Sequence, residues 1–437
     1  MPTGFGSFKV GGSAVHDETV AIHGGYTPDT TRAVAVPIYQ TIAHQFDDAA
    51  HAGAIFDLDI PGFHYNRLNN PTNDVLERRL TTLENGAGAV VLSSGAAAVN
   101  YSVLNLATVN DNVVTTPQLY GSTYTLFAHV LPSQGIEVRF ADDDRPECIE
   151  PLIDARTKAV FCESVGNPAL NVVDLEATSD VAHRHGVPLI VDNTIATPMY
   201  LKPIDHGADV VVHSLTKFIG GHGTTLGGAI VDAGRFPWVD HPDRFPMFNR
   251  PEPAFHGVVY AEQFPEAPYA VRCRTVSLRN SGATLSPLGS FLLLQGLETL
   301  AVRLERHESN TRAIADYLAR DPRVEWLRYL GDPAFAYYEL AQRYLKGHCP
   351  SIITFGVAGG YDAGIRFFDS VKLFKRLVNM GDSKSLVAHP ASTTHRQLSP
   401  EALELVGVAP EAIRLSIGIE HVDDLIEDID QALSAAI

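Results

Sequence analysis

Cysteine is scarce in this chain: Cys148, Cys162, Cys273 and Cys349 are the only four among 437 residues, far apart and without C-x-x-C spacing. A disulfide frame and a zinc site built on paired thiolates are thereby excluded, and buried thiols in a reducing cytosol fit better. Long apolar runs are absent too; none approaches the roughly twenty residues that a membrane helix requires. Met1 to Gly12 is glycine-rich and lacks the apolar stretch of a secretory signal, so a cytoplasmic protein is expected. Positive charge is the minority, with 33 Lys and Arg against 51 Asp and Glu and a net charge of −18. That balance argues against a nucleic-acid surface and against anionic lipid.

Several signatures of chemistry are missing as well. The chain has no G-x-G-x-x-G and no G-K-[ST] phosphate loop, which leaves a dinucleotide or ATP site poorly supported. It has no G-x-S-x-G elbow for a serine hydrolase. Its 18 histidines form neither H-E-x-x-H nor a Cys/His cluster, so no metal is expected. Internal repeats and low-complexity runs are absent.

What is present is an alternation of strands and helices in a chain too long for one core. Residues 1–68 are irregular and read as an arm that packs on a neighbouring subunit. Asn70-Pro71-Thr72 supplies cap chemistry for a helix carrying Val75, Leu76, Leu80 and Leu83. Strands are expected at Ala87–Leu92, Asn112–Thr116, Ile136–Phe140, Ala159–Glu163, Pro188–Val191, Val210–Val212 and Leu226–Val231. Helices are expected at Ala96–Leu106, near Ser122–Val130, and from an Asp174 cap to His185. This βαβα order implies a mainly parallel sheet covered on both faces. Phe236–Ala270, rich in Pro, Phe and His, reads as an irregular insertion. A boundary is expected at residues 285/286, where Ser286-Pro287 opens an apolar helix. A smaller α+β domain follows, with strands at Ile352–Val357 and Ile413–Ile417. Its helices are expected near Ala363–Leu377, from Ser399-Pro400, and from Val422 to the end. The expected division is therefore 1–68, 69–285 and 286–437.

In parallel sheets ligands gather beyond the carboxyl ends of the strands. Those ends carry Ser94-Gly95, Tyr120, Glu163 with Asn167, Asp192, and Ser214-Leu215-Thr216-Lys217 before Gly220-Gly221-His222-Gly223. A lysine in apolar surroundings loses ammonium character and offers the free amine of a Schiff base; taken alone, Lys217 reads better as a surface charge at a strand end, and the rest of the chain reverses that. Ser94-Gly95-Ala96 suits either an anion at a helix N-terminus or a tight turn. Asp192 ends an apolar strand and either caps a helix, joins an ion pair or meets a protonated pyridine nitrogen. Tyr120 either stacks on a flat cofactor or is a half-buried ring. Together, an amine, an acid, a phosphate cradle and a stacking ring are what pyridoxal phosphate requires.

At this point the sequence resembles the Cys/Met-metabolism pyridoxal-phosphate enzymes. Ser214 to Gly223 looks like their lysine signature, and Tyr65-Asn66-Arg67 with Asn70-Pro71-Thr72 like their Y-x-R…NPT motif. Leu119-Tyr120-Gly121, Val191-Asp192-Asn193-Thr194 and Arg414-Leu415-Ser416-Ile417-Gly418-Ile419-Glu420 match as well. The resemblance implies a type I, aspartate-aminotransferase-like α/β fold. It implies that Lys217 binds pyridoxal 5'-phosphate and moves protons, Asp192 meets the ring nitrogen and Tyr120 stacks on the ring. Ser94, Gly95, Ala96, Ser214 and Thr216 would hold the phosphate. Tyr65 and Arg67 would reach the phosphate of a neighbouring subunit in a homotetramer. Arg414, Ser385 and Asn167 would hold the substrate carboxylate or the ring oxygen; without the resemblance Arg414 reads as an edge charge. Glu163 to Pro168, Gly381 to Leu386 and His389 to His395 resemble the O-acetylhomoserine sulfhydrylase branch. The γ-lyase branch tends to carry a glutamate where Lys384 stands. The implied partners are an amino acid and a sulfur nucleophile, joined by γ-replacement, with a γ-lyase as the alternative.

Overall fold

The computed structural model describes residues 9–10, 13–393, 396 and 408–437. The expected helix from Ser399-Pro400, and Thr394 and His395 of the branch motif, lie outside these residues.

Seven strands form the larger sheet: β1 Gly88–Leu92, β2 Asn112–Thr115, β3 Glu137–Phe140, β4 Thr157–Glu163, β5 Leu189–Asp192, β6 Val210–Ser214 and β7 Gly228–Asp232. Their order is β1-β7-β6-β5-β4-β2-β3, with β7 antiparallel to both neighbours and the other pairs parallel. All seven strands appear where the sequence placed them, to within a few residues. Their apolar runs arise because both faces are covered. On one face Val160, Val191 and Val211 pack with helices α1 (Pro71–Leu83), α3 (Leu175–Arg184) and α4 (Pro287–Glu298). On the other, Phe161, Ile190 and Val212 pack with helix α2 (Gly95–Leu104) and with residues 236–278. The caps are as the sequence implied: Asn70, Asp174 and Ser286 each accept a backbone N–H of the helix they open.

The segment Phe236–Ala270 is no loose insertion. Short helical turns bury Trp238, Phe245, Phe248, Tyr260 and Tyr269, and the rings of Trp238 and Phe248 lie 4.4 Å apart. Its prolines interrupt any helical period, so the pattern of burial is not visible in the sequence.

Helix α5 (Leu300–Leu318) spans two cores: Leu300 and Leu304 join the first, Ile314 and Leu318 that of the smaller sheet. That sheet has strands β8 Val324–Arg328, β9 Ile352–Val357, β10 Lys375–Arg376, β11 Leu386–Ala388 and β12 Ala412–Ser416, in the order β8-β9-β12-β11-β10. Helices α6 (Gly360–Ser370) and α7 (Val422–Ala436) cover it. The sequence suggested that α6 continues to Leu377. Instead the Asp428 carboxylate on α7 accepts the amides of Lys372, Leu373 and Phe374, and the chain turns into β10. Among the described residues, no helix is long and apolar enough to cross a membrane.

One buried arginine locks α5 to the glycine-rich turn after Lys217. Arg303 donates to the carbonyls of Phe218 at 2.8 Å, Ile219 at 3.2 Å and Gly296 at 2.7 Å. Gly221 has φ +67°, and a Cβ there would stand 2.1 Å from Arg303 Nη1, so the turn must be glycine. Replacing Arg303 with Met keeps the bulk and orphans two buried carbonyls, those of Phe218 and Ile219. A loss of about 3 kcal/mol is expected, read as a lowered urea midpoint.

Candidate active site

Strand β6 ends at Ser214, and the turn beyond it carries Lys217 past the carboxyl edge of the sheet. The Lys217 amine donates to Asn379 Oδ1 at 2.7 Å. Burial, helped by the Arg414 guanidinium, lowers its pKa from 10.5 to about 8. The neutral amine is therefore about a tenth of the population at pH 7 and about half at pH 8.

Arg414 comes from the smaller sheet. It is the centre residue of β12, flanked by β9 and β11, and only 4% exposed. Nη1 donates to Asn167 Oδ1 at 3.3 Å and Nη2 to the Asn379 carbonyl at 2.8 Å. No carboxylate pairs with it among the described residues, and its buried Nε has no acceptor. Burial lowers its pKa to about 10. A buried guanidinium held only by neutral oxygens suits a planar carboxylate.

Asp192 ends β5. Its Oδ1 accepts from the amide of Thr194 at 3.0 Å and from its hydroxyl at 2.5 Å, and Oδ2 has no protein hydrogen bond among the described residues. Burial raises its pKa; the Thr194 bonds and His213 oppose that. His213 is itself buried against Glu84, Nε2 to Oε1 at 2.5 Å. The Thr194 hydroxyl also accepts from the Ser214 amide at 2.8 Å. Ser214 in turn abuts the start of α2, where a Cβ on Gly95 would lie 2.5 Å from the Ser214 Cβ. Ser94 caps α2 by accepting the Ala97 amide at 3.1 Å. The Gly95 and Ala96 amides precede any intrahelical acceptor and are free for an anion. The Thr216 hydroxyl donates to the Gly227 carbonyl at 3.2 Å and accepts its amide at 3.0 Å.

Tyr120, 40% exposed, has its amide bonded to Glu163 Oε1 at 2.6 Å, and its phenol acts electrostatically on Arg414. Hydrogen bonds thus run from Lys217 through Asn379 and Arg414 to Asn167, with Tyr120 within electrostatic range of Arg414. From Tyr120 contacts run through Glu163, Asp192 and Thr194 to Ser214 and Gly95. A cavity of about 580 Å³ elsewhere, lined by Ile55, Phe63, Phe264 and Arg274, includes none of these residues.

Three expected residues stand apart. Ser385 is turned toward Glu420: its amide and hydroxyl donate to the Glu420 carboxylate at 2.7 and 2.9 Å, and its Oγ accepts the Gly418 amide. The residue of that segment that meets both Lys217 and Arg414 is Asn379, which the sequence reading missed. Its only sequence signal is its place just before the Gly381–Leu386 motif. Tyr65 and Arg67 form no hydrogen bond to residues 94–96 or 214–217 of their own chain. Tyr65 is exposed, and Arg67 donates to the Arg279 carbonyl at 2.9 Å.

Residues 18–434 match the model of the family described as Cys/Met metabolism PLP-dependent enzyme. The chain belongs to this family. It is 48% identical over 96% of its length to the homocysteine synthase of Schizosaccharomyces pombe, covering 99% of that protein. It is 46% identical over 95% of its length to the O-acetyl-L-homoserine sulfhydrylase 1 of Thermus thermophilus, again covering 99%. In structure it matches a Campylobacter jejuni protein assigned as an O-acetylhomoserine (thiol)-lyase and solved with N'-pyridoxyl-lysine-5'-monophosphate. The TM-score is 0.93 at 42% identity, over 96% of this chain and 100% of that one. The fold is the type I pyridoxal-phosphate fold that the resemblance implied, and the cofactor is pyridoxal 5'-phosphate.

The residues fit that cofactor. A half-buried amine, a carboxylate with one free oxygen, unpaired helix-start amides pressed against a serine and a neighbouring phenol ring match its aldehyde, ring nitrogen, phosphate and ring face. In cofactor-free protein, the rate of pyridoxal 5'-phosphate uptake should rise through about pH 8 and level off above, as the Lys217 ammonium loses its proton. Arg414→Met should move that midpoint upward yet keep it below 10.5, because burial remains the larger cause. Stopped-flow visible absorbance measures both.

Proposed function

We propose that this chain is an O-acetyl-L-homoserine sulfhydrylase. It exchanges the γ-acetoxy group of O-acetyl-L-homoserine for sulfide, giving L-homocysteine and acetate, a step of methionine biosynthesis. The observation that carries the reading is the pair formed by the Lys217 amine and Arg414, bridged by Asn379. An amino acid whose carboxylate sits on the Arg414 guanidinium has its Cα within reach of a base, and Lys217 is the adjacent amine.

When bound, pyridoxal 5'-phosphate supplies an electron sink for negative charge at Cα. The protein supplies everything else. Lys217 binds the cofactor, then its Nζ takes the proton from Cα and relays protons as the Cγ–O bond breaks and a Cγ–S bond forms. Asp192 keeps a negative charge at the ring nitrogen. The Gly95 and Ala96 amides, the Ser94 cap and the hydroxyls of Ser214 and Thr216 receive the phosphate, and Tyr120 covers the ring. Arg414 and Asn167 receive the carboxylate and the ring oxygen. Lys384, ion-paired with Asp382 at 3.1 Å, stands where the γ-lyase branch tends to carry a glutamate, which favours replacement over elimination.

In this reading residues 1–68 form an arm, 69–285 the cofactor domain and 286–437 the second domain, in a cytoplasmic homotetramer of two tight dimers. The exposed Tyr65 and Arg67, which leave their own chain's phosphate site alone, reach that of the neighbour.

Purified protein given O-acetylhomoserine, O-succinylhomoserine or methionine, each with and without sulfide, tests the reading. Acetate release that depends on sulfide is expected. Release of a 2-oxo acid without sulfide would mean a γ-lyase instead. Lys217→Ala should abolish turnover and the visible absorbance of the bound cofactor while leaving the far-UV spectrum intact.

A further inference from the structure

Glu163 and Asp192 are neighbours in register on the parallel strands β4 and β5. Such partners lie about 5 Å apart with side chains on the same face. Both are acids, and Glu163 is 5% exposed. The groups around Glu163 can be named from each side. On β5 stands Asp192. On the loop from β2 stands Tyr120, whose amide donates to Glu163 Oε1 at 2.6 Å. On β6 stands His213, already paired with Glu84. Arg414 spends its guanidinium on Asn167 and Asn379, and Lys217 its amine on Asn379. On β4 itself, Cys162 is buried and its thiol pKa raised. No cation hydrogen-bonds to Glu163 among the described residues.

Two carboxylates side by side without a cation, one buried and one half-buried, do not both ionise; one keeps its proton. Asp192 is the one with the hydroxyl and amide of Thr194 to stabilise its charge. Glu163 has one backbone amide. We propose that Glu163 is a positioning residue that works as a neutral acid: it fixes the Tyr120 backbone beneath the ring and leaves Asp192 as the single negative charge at the ring nitrogen. The inference rests on the cofactor reading of Asp192 and Tyr120, and on no particular substrate. Burial first, and Asp192 second, raise the Glu163 pKa well above 4.5, which agrees with the geometry.

The sign of the linkage follows. An unfolded glutamate releases its proton near 4.5, and the folded one holds it. The native state therefore binds more protons over that range, and stability falls as pH rises toward the folded pKa. Glu163→Gln removes this loss and keeps the shape. The melting temperature of Glu163→Gln minus that of wild type should become steadily more positive as pH rises above about 4.5, in cofactor-free protein. The infrared band of a buried protonated carboxyl should disappear in the same variant. Glu163→Ala should weaken pyridoxal 5'-phosphate affinity about tenfold by freeing Tyr120, and Glu163→Gln should restore it to within about threefold.

A melting difference that stays flat with pH, an unchanged infrared band, or a Glu163→Gln affinity as poor as that of the alanine variant would each overturn the proposal. None of these readouts involves turnover. An enzyme that acted on a different amino acid would leave them standing, so failure of the substrate reading and failure of this inference are told apart.

Discussion

A guanidinium buried without an anion governs the design of this site. Removing an arginine from water is expensive, and a protein that keeps one inside normally pairs it with a carboxylate. Among the described residues, Arg414 has only the side-chain oxygen of Asn167 and the carbonyl of Asn379. The cost is offset by the surroundings that hold it: β12 is hydrogen-bonded on both sides, to β9 and to β11. The neighbouring Thr354 donates to the Pro168 carbonyl at 2.9 Å, tying β9 to the loop that bears Asn167. The guanidinium thus stands on a rigid strand, close enough to the Lys217 amine to lower its pKa. One uncompensated positive charge both waits for a carboxylate and makes a nearby base.

The two sheets contribute different halves of this chemistry. The large sheet supplies Lys217, Asp192, Ser214 and the start of α2, all at carboxyl ends of strands or in the turns that follow. The smaller sheet and the loop before β11 supply Arg414 and Asn379. Their meeting is held by contacts that have no catalytic task. Arg303 ties α5 to the Lys217 turn, and the Ser383 amide and hydroxyl both donate to the Gly221 carbonyl, at 2.9 and 2.8 Å. Preorganisation of this kind lets a site keep geometry without reorganising when charge develops.

Much of the large sheet was legible because its strands are uniform apolar runs and its helices open with side-chain caps. Lys217 and Asp192 were found by their position at strand ends, which the topology rule makes informative. Other features left no such trace. Strand β8 is only partly buried, and β11 is three residues long, too short to show a period. The prolines of Phe236–Ala270 hide a packed aromatic layer. Ser385 stands away from Lys217 and Arg414, and Asn379 beside them, for a local reason. Both are small polar residues in one loop, and only the Glu420 carboxylate, distant in sequence, decides which faces the lysine. Tertiary partners of that kind are outside what spacing can report.

Asn379 turns the site from a collection into a unit. Its side chain accepts the lysine amine and its main chain accepts the arginine, so a shift in one is felt by the other through a single residue. An amine that is to act as a base needs an acceptor that holds it in place, because a wandering base forfeits the advantage of proximity. The amide oxygen is suited to this: it binds N–H at 2.7 Å and, carrying no charge, favours the ammonium less than a carboxylate would. A carboxylate there would stabilise the ammonium and raise the pKa that burial and Arg414 bring down. A neutral acceptor at this position and an unpaired cation behind it are therefore two parts of one electrostatic arrangement.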